Sequence, residues 1–212
     1  MSVNRWPDVD HALAYLSRVD TIPHRTEGEA TLLELLPPKP TRVLDIGTGD
    51  GRLLALVRTA RPKTLGIGVD FSPPMLERAR QRFANDVDVE IVEHDLDKPL
   101  PSLGGFDLVV SSFAIHHVED RRKKELYAEV FEVLDPGGVF LNLEHVASAT
   151  PELHLEFLDV LDIAPENDDP SNKLAPLDVQ LDWLRAIGFT QVDCFWKWRE
   201  LALLAGRKSK GR

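Results

Sequence analysis

The chain has 212 residues, of which 43% are hydrophobic and 28% charged, which is enough for one globular domain, residues 1–212, with a sizeable core. A formal net charge of -10 argues against broad, non-specific binding to nucleic acid or membranes, and no apolar run is long enough to span a bilayer or act as a signal. The single cysteine, Cys194, excludes an internal disulfide and a multi-cysteine zinc site, so the totals predict a cytoplasmic protein.

The first 40 residues predict two helices joined by a loop. Apolar residues recur on one helical face from 8 to 17, and a second helix is expected from 27 to 36, where prolines end it. Two helices ahead of the first strand predict a lid, residues 1–40, over the ligand site. In the loop between them, Arg25 is the candidate donor to a carboxylate of the ligand.

A short apolar strand, residues 41–46, runs through a glycine-rich bend straight into a helical pattern. Such a bend brings the backbone close to a ligand and aims the free N–H groups of the helix at it. The spacing G-x-G-x-G differs from the dinucleotide fingerprint G-x-G-x-x-G. Asp45 would repel a pyrophosphate but suits an ammonium or sulfonium group. The candidate ligand residues of this stretch are Asp45, Gly47, Thr48, Gly49 and Gly51.

Two further strands also end in acidic residues. Residues 64–70 predict a buried strand that ends at Asp70, and Phe71 then opens a helix that contains Met75. Residues 87–93 predict the third strand, which is followed by Asp95 and Leu96. Because ligands of open parallel sheets bind at the carboxyl ends of the strands, we expect these side chains to converge on the glycine bend.

The second half of the chain continues the alternation of strands and helices. A strand over 106–111 leads into a loop that contains His116 and His117, and a helix over 120–134 follows. The first turn of that helix, Arg121–Lys124, carries four cations, which we assign to a solvated face or to an anion-attracting rim. A fifth strand to residue 144, an inserted helix and loop over 150–176, a helix over 177–187 and a closing hairpin complete a doubly wound α/β sheet.

Three segments resemble motifs of class I S-adenosylmethionine-dependent methyltransferases. They are the glycine bend with Asp45 before it, the loop after strand four and the Leu-x-Pro-Gly-Gly turn before strand five. The resemblance is specific from about residue 41 to 144. It implies a Rossmann-like, seven-stranded sheet in the order 3-2-1-4-5-7-6, with strand seven antiparallel and helices on both faces. The inserted helix and loop would then lie over the substrate side.

The same resemblance implies roles for single residues in binding S-adenosylmethionine. Asp70 would accept hydrogen bonds from both ribose hydroxyls, and Asp95 from the exocyclic amine of adenine. Leu96 would cover the adenine ring, with Met75 beside it or in the core. The loop after strand four would line the channel between the methyl group and its acceptor. The cofactor-binding residues added by these motifs are Asp70, Phe71, Met75, Asp95, Leu96, Ser111 and Phe113.

Methyl transfer obliges the protein to supply alignment and a dry site, and a base only when the acceptor carries a proton. His116 and His117 are the candidate catalytic residues, with Glu144 and His145 behind them. A structural role for either histidine remains open. Metal binding is not expected, because no third ligand has a suitable spacing.

Four functions therefore stay under comparison. The first is transfer of a methyl group from S-adenosylmethionine to a small-molecule acceptor. The histidine-rich loop and the aromatic hairpin around Trp196 also resemble the carboxy-S-adenosylmethionine synthases of tRNA modification. A non-catalytic partner subunit that binds the cofactor is the third, and a nicotinamide dehydrogenase is disfavoured by the glycine spacing. The acidic balance disfavours RNA as an acceptor, and the sequence indicates neither the acceptor nor the oligomeric state.

Overall fold

A computed structural model describes residues 22–211, so the predicted helix over 8–17 lies outside the described residues. Seven strands form one sheet in the order β3-β2-β1-β4-β5-β7-β6. Strands β1 to β5 are parallel, and β7 runs antiparallel to both β5 and β6. This is the predicted order. The strands are β1 Arg42–Ile46, β2 Leu65–Asp70, β3 Val89–Glu93, β4 Phe106–Ser112, β5 Leu134–His145, β6 Thr190–Trp198 and β7 Leu201–Arg207.

Six α-helices accompany the sheet in the described residues. The first begins at Arg25 rather than at Glu27, which places Arg25 on a helix instead of in the expected loop. Ser72 precedes α3 without a side-chain capping bond, whereas the Thr150 side chain caps α5 by accepting from the Leu153 N–H. The helices are α1 Arg25–Glu34, α2 Arg52–Ala60, α3 Pro73–Arg82, α4 Asp120–Val133, α5 Pro151–Val160 and α6 Leu177–Ile187.

The core consists of two large clusters, because alternate residues of each strand point to opposite faces of the sheet. Val43 joins the cluster that contains Leu32 of α1 and Leu54 of α2. Its neighbour Leu44 joins the cluster that contains Leu126 of α4. Helices therefore cover both faces, as the resemblance implied, and the strand ends are left to form a site.

Two of the four cations at the start of α4 are buried and serve the fold, whereas Arg121 and Lys124 are exposed, so neither assignment made from the sequence fits all four. Arg122 is buried and donates to the Leu96 and Lys98 carbonyl oxygens and to Glu129. Lys123 is only 1% exposed, and its Nζ donates to the carbonyl oxygens of Val118 and Lys173. Both cations satisfy carbonyl groups of loops beside the site, which offsets their unfavourable position at a helix N-terminus.

Candidate functional site

A cleft, with about 900 Å³ of empty space that includes open solvent, lies at the carboxyl ends of β1, β2 and β4. Eleven of the thirteen predicted cofactor residues line it, together with the predicted catalytic residue His117. The sheet topology brings together residues that lie far apart in the chain, from Arg25 to Val118, as expected for this class of fold. The eleven are Arg25, Asp45, Gly47, Thr48, Gly49, Asp70, Phe71, Met75, Asp95, Leu96 and Phe113.

The glycine bend needs glycine at two positions for different reasons. Gly47 has a φ of 68°, and a Cβ atom there would lie 2.1 Å from the Cβ of Ala114, so the position admits no side chain. Gly49 has a φ of 57°, but a Cβ there would have no neighbour within 4 Å. The bend is therefore packed against the loop after β4 at Gly47 and open to the cleft at Gly49.

Asp45 is fully buried at the end of β1 and lines the cleft. Its Oδ2 accepts a hydrogen bond of 2.7 Å from the Thr48 hydroxyl, whereas its Oδ1 is buried without a hydrogen-bond partner among the described residues. Burial raises the pKa of Asp45 to about 7, and the charge of nearby Asp70 adds to this shift. A cationic group of a ligand would supply the missing partner and stabilise the carboxylate.

Asp70 ends β2 next to the glycine bend and is half-buried. Its Oδ2 accepts from the Gly49 N–H at 2.9 Å, and its Oδ1 accepts from the Ser72 N–H at 2.8 Å. Burial raises the pKa of this carboxyl, although the backbone donors oppose the shift. Because each carboxylate oxygen has two lone pairs, both can also accept from neighbouring hydroxyl groups of a ligand.

One end of the cleft carries two arginines that are tied to a single buried carboxylate. Glu29 Oε1 accepts from Arg25 Nε and from Arg52 Nε, each at 2.9 Å. Burial raises the pKa of Glu29, but the two guanidinium groups outweigh it and lower the pKa overall. Arg25 also lies over the Phe113 ring, with 5.1 Å between its Cζ and the ring centroid. Arg25 thus carries its charge to the cleft from a fixed position on α1.

The other end of the cleft is more apolar. Leu96 and Met75 are buried beside it, at 7% and 2% exposure, and Phe71 also contributes to the wall. Asp95 is half-buried at the same end, and its Oδ1 accepts from the Asp97 N–H at 3.0 Å. This combination of apolar surface and carboxylate groups suits a flat heterocycle that carries an amino group.

Two predicted cofactor residues, Gly51 and Ser111, lie outside the cleft. Gly51 precedes α2 with a φ of 81°, and a Cβ there would lie 2.6 Å from the Phe83 ring, so it allows helix packing. Ser111 is fully buried, and its hydroxyl donates to the Ile46 carbonyl at 2.7 Å. Its neighbour Ser112 lines the cleft instead, because one step along a strand reverses the side-chain direction.

Sequence reasoning missed several other residues of the cleft. Some signals were visible in the sequence: Arg52 is the first residue after the glycine bend, and Glu29 stands four positions after Arg25, the spacing of an ion pair on a helix. The remaining lining residues are Asp50, Arg52, Leu53, Asp97, Ser112, Ala114 and Val118.

A second cavity, with about 1,240 Å³ of empty space that includes open solvent, adjoins the cleft, and Phe113 and His117 line both. His116 and His145 lie in its wall, whereas α5 and the loop that follows supply most of the remaining lining. The 150–176 segment therefore lies over this cavity. Ile22, next to α1, also contributes.

His116 and Glu144 form a buried pair in the wall of the second cavity. The Nδ1 of His116 lies 2.6 Å from Oε1 of Glu144, and their side chains are 7% and 0% exposed. Burial lowers the pKa of His116 well below its ordinary value and raises the pKa of Glu144 to about 7. Burial also lowers the pKa of His117 to about 3, and its neighbour His116 adds to that shift.

Glu144 is held from behind by a chain of buried polar side chains. Asn142 Nδ2 approaches Glu144 Oε2 at 3.4 Å and the Tyr127 hydroxyl at 3.3 Å. The Tyr127 hydroxyl donates to Gln180 on α6 at 2.6 Å, and Gln180 in turn donates to the Ala175 carbonyl. This series of hydrogen bonds connects the His116–Glu144 pair to the 150–176 segment, which covers the second cavity.

A second buried carboxylate fixes the other side of this cavity. Glu200 is fully buried and pairs with His145 at 2.8 Å and with His154 of α5 at 3.0 Å. It also accepts from the Ser148 hydroxyl. Burial raises the pKa of Glu200, but these three partners outweigh it and lower the pKa overall. Through its contacts with His154 of α5 and His145 of β5, Glu200 therefore stabilises the packing of α5 on the sheet next to the cavity.

The part of the chain that the structure describes contains no group of three or more histidine, cysteine or acidic side chains that could hold a metal ion. None of its helices is long and apolar enough to cross a membrane.

Comparison with known proteins identifies related sequences. A family model described as a methyltransferase domain matches residues 43–138. A demethylmenaquinone methyltransferase of Thermus thermophilus is 37% identical over 111 residues, which are 51% of this chain and 49% of that protein. A carboxy-S-adenosyl-L-methionine synthase of Desulfotalea psychrophila is 25% identical over 191 residues, 81% of this chain and 77% of that protein. The chain thus spans about half the length of the first relative.

Solved structures show the same fold. An O-methyltransferase family protein from Burkholderia thailandensis superposes with a TM-score of 0.74 at 21% identity, covering 100% of this chain and 65% of that protein. The strand order, the antiparallel β7 and the match to a methyltransferase domain agree with one another. The match of residues 43–138 to a methyltransferase domain and the shared fold support a class I S-adenosylmethionine-dependent methyltransferase.

Proposed function

We propose that this protein binds S-adenosylmethionine in the cleft and catalyses transfer of its methyl group to a small molecule held in the second cavity. The observation that carries the proposal is the unpartnered, buried Oδ1 of Asp45 beside an open glycine bend. A buried carboxylate oxygen without a donor is costly, and an ammonium group is the partner that satisfies it best.

The residues present fit this cofactor along its length. Asp45 would accept from the amino group of the methionine part, and Arg25 or Arg52 would hold its carboxylate. Asp70 would accept from the ribose hydroxyls, while Asp95, Leu96 and Met75 would surround the adenine. The oxygen acceptors and the cations thus lie at separate positions in one cleft, which matches a ligand that carries both signs of charge.

When bound, S-adenosylmethionine supplies a methyl group on a positively charged sulfur, and its product is the neutral thioether S-adenosylhomocysteine. The chain's contribution is to place the acceptor atom in line with that methyl group and to keep water away. Phe113 and His117 line both cavities and are the side chains across which transfer would occur.

His116 would accept the proton of an acceptor hydroxyl through its Nε2, because its Nδ1 is engaged with Glu144. The protonation state of Glu144 decides whether this is possible. A protonated Glu144 donates to Nδ1, so the neutral imidazole carries its hydrogen on Nε2 and cannot take another. An ionised Glu144 accepts from Nδ1–H, which leaves the Nε2 lone pair available and stabilises the imidazolium that forms.

A second candidate is synthesis of carboxy-S-adenosylmethionine. In its support, the relative with that name matches 81% of the chain, and Arg25 lies over Phe113, the ring shared by the two cavities. A cation at that position would suit a carboxylate near the transferred carbon. The mass of the ligand that co-purifies with the protein distinguishes the two, because only the carboxylated cofactor carries the added carboxyl group.

The experiment that tests the first proposal is incubation with methyl-labelled S-adenosylmethionine and a cell extract. We expect label in a small-molecule fraction and release of S-adenosylhomocysteine. Binding of S-adenosylhomocysteine without any transfer of label would instead favour a non-catalytic partner subunit.

A further inference from the structure

The second cavity has an apolar body. Phe157, Leu158 and Leu201 are buried in its wall at 1%, 3% and 4% exposure, and half-buried Leu161 and Ile163 extend the same surface. Apolar surface of this kind gains free energy when a hydrophobic ligand replaces water. It provides no compensation for a charge that loses its hydration.

The lysine, arginine, aspartate and glutamate side chains that line this cavity have one sign of charge. Asp162, Asp168 and Asp169 line it, and none of its lining residues among those described is a lysine or arginine. The nearby cations point to other partners: Lys173 lies 3.3 Å from Glu119, and Arg199 lies 3.6 Å from Glu156. An anionic ligand would therefore meet repulsion at the cavity without an ion-pair partner to offset it.

The acids do not form a binding site for a cation either. Asp168 Oδ2 already lies 3.3 Å from His154 Nε2, and its Oδ1 accepts from the Asp169 N–H. Asp169 Oδ1 accepts from the Ser171 N–H. Asp162 is exposed, so its carboxylate keeps its hydration at the open side.

The buried, inner part of the lining is polar but favours neutral groups. His116 and His145 each have a ring nitrogen bound to a buried glutamate, and their rings lie 5.4 Å apart. Such rings can exchange hydrogen bonds with a hydroxyl group of the ligand. Burial lowers the pKa of His116 well below its ordinary value, so this ring does not supply the fixed positive charge that a carboxylate or phosphate would need.

We infer that the second cavity selects an uncharged, amphipathic acceptor, with an apolar ring against Phe157 and Leu158 and a hydroxyl group at the histidines, and that it rejects carboxylates and phosphates. This inference rests on the proposed function, since it takes the second cavity as the acceptor site. The expected class of acceptor is therefore neutral, hydroxylated ring compounds.

Three probes that share a naphthalene ring test the charge selectivity: 2-naphthol, 2-naphthoate and 2-naphthylmethylammonium. Each is titrated at neutral pH, with fluorescence detection, against the protein with and without saturating S-adenosylhomocysteine. We expect 2-naphthol to bind at least about tenfold more tightly than 2-naphthoate, because the carboxylate loses hydration without gaining a partner. Equal or tighter binding of 2-naphthoate overturns the inference, as does tighter binding of the ammonium probe.

Variants identify the cavity as the place where the probes bind. Asp168→Asn and, as a second variant, Asp162→Asn each remove one negative charge, and asparagine tolerates the φ of 55° at position 162. Either should bring the 2-naphthoate affinity several-fold closer to that of 2-naphthol. Asp159→Asn is the matched control, because Asp159 is exposed and does not line the cavity. An equal change in Asp159→Asn contradicts the assignment.

The two proposals fail in different ways. Absence of S-adenosylhomocysteine binding contradicts the proposed function. The relative affinities of the three probes can still be measured on the protein without that ligand. Binding of S-adenosylhomocysteine with no binding of any probe leaves the proposed cofactor in place and overturns the inference about the acceptor.

Discussion

His116 and Glu144 meet through an Nδ1–Oε1 distance of 2.6 Å, and burial raises the pKa of Glu144 to about 7. This relationship gives the proposed proton transfer a defined pH dependence. A carboxyl with that pKa is half ionised near neutral pH, and only its ionised form leaves the His116 Nε2 able to accept a proton.

Methyl transfer to a hydroxyl acceptor should therefore rise with pH by about tenfold per unit below pH ~7 and level off above it. This rise in rate with pH reflects the ionisation of Glu144, so Glu144→Gln should remove the pH dependence and lower kcat by about 10²-fold or more. The measurement is label transfer at saturating S-adenosylmethionine across this pH range. Glu132→Gln, an exposed position on α4, should behave like the wild type. An unchanged pH limb in Glu144→Gln would contradict the assignment.

Asp45 should release a proton when S-adenosylhomocysteine binds. Burial raises its pKa to about 7, and the ammonium group of the ligand would favour the carboxylate. At pH about 6 we expect nearly one proton released and affinity that rises with pH through about 7. Calorimetry in two buffers of different ionisation enthalpy measures this release. Asp45→Asn should abolish it, and a wild-type enthalpy that is independent of the buffer would contradict the role of Asp45.

The buried Asp45 carboxyl also predicts how stability depends on pH. Because its pKa is higher in the folded protein than the ordinary value of 3.8 for an aspartate, the folded state holds its proton more tightly than the unfolded state. Its contribution to stability is therefore greatest at low pH and is lost as pH rises from about 4 to about 7. Thermal unfolding of wild type and Asp45→Asn should show a smaller decrease in Tm across this window for the variant. Parallel curves would exclude the expected shift.

Asp70→Ala should weaken binding of S-adenosylhomocysteine by about 2 kcal/mol, roughly 30-fold in Kd, through loss of charge-assisted hydrogen bonds. The loss also leaves the N–H groups of Gly49 and Ser72 without their acceptor. Calorimetry at one pH provides the measurement. Glu90→Ala, an exposed position on β3, is the control and should leave Kd unchanged. A Kd for Asp70→Ala within twofold of wild type would remove Asp70 from the site.

Lys123→Met should destabilise the fold by roughly 2–4 kcal/mol, because the carbonyl groups of Val118 and Lys173 and the Asp120 carboxylate lose their buried donor. Lys124→Met is the adjacent control. Its side chain is exposed and lies over Trp183, so its loss should cost less than about 1 kcal/mol. Urea unfolding of both variants gives the comparison. Similar costs would mean that Lys123 does not have the structural role assigned to it.

The strand order and most of the cleft could be predicted from the sequence, because each strand ends in a local signal. Asp45 and Asp70 stand where a buried strand stops, and the glycines mark the bend between them. The sequence does not determine the direction in which each single side chain points. Ser111 and Ser112 are adjacent, and only the register of β4 against β1 determines which one faces the cleft.

Long-range contacts account for the rest. The sequence does not show that Arg122 and Lys123 of α4 are buried, because their carbonyl partners at Leu96 and Lys173 lie far away in the chain. The pairing of Glu200 with His145 and His154 likewise depends on how α5 returns to the sheet. No local sequence pattern indicates such long-range side-chain contacts.

Calorimetric titration of the wild-type protein with S-adenosylhomocysteine and, separately, with NAD tests the central claim most directly. We predict a micromolar Kd for S-adenosylhomocysteine and no measurable binding of NAD, because Asp45 attracts an ammonium group and repels a pyrophosphate. Equally poor binding of both ligands, or tighter binding of NAD, would contradict the account.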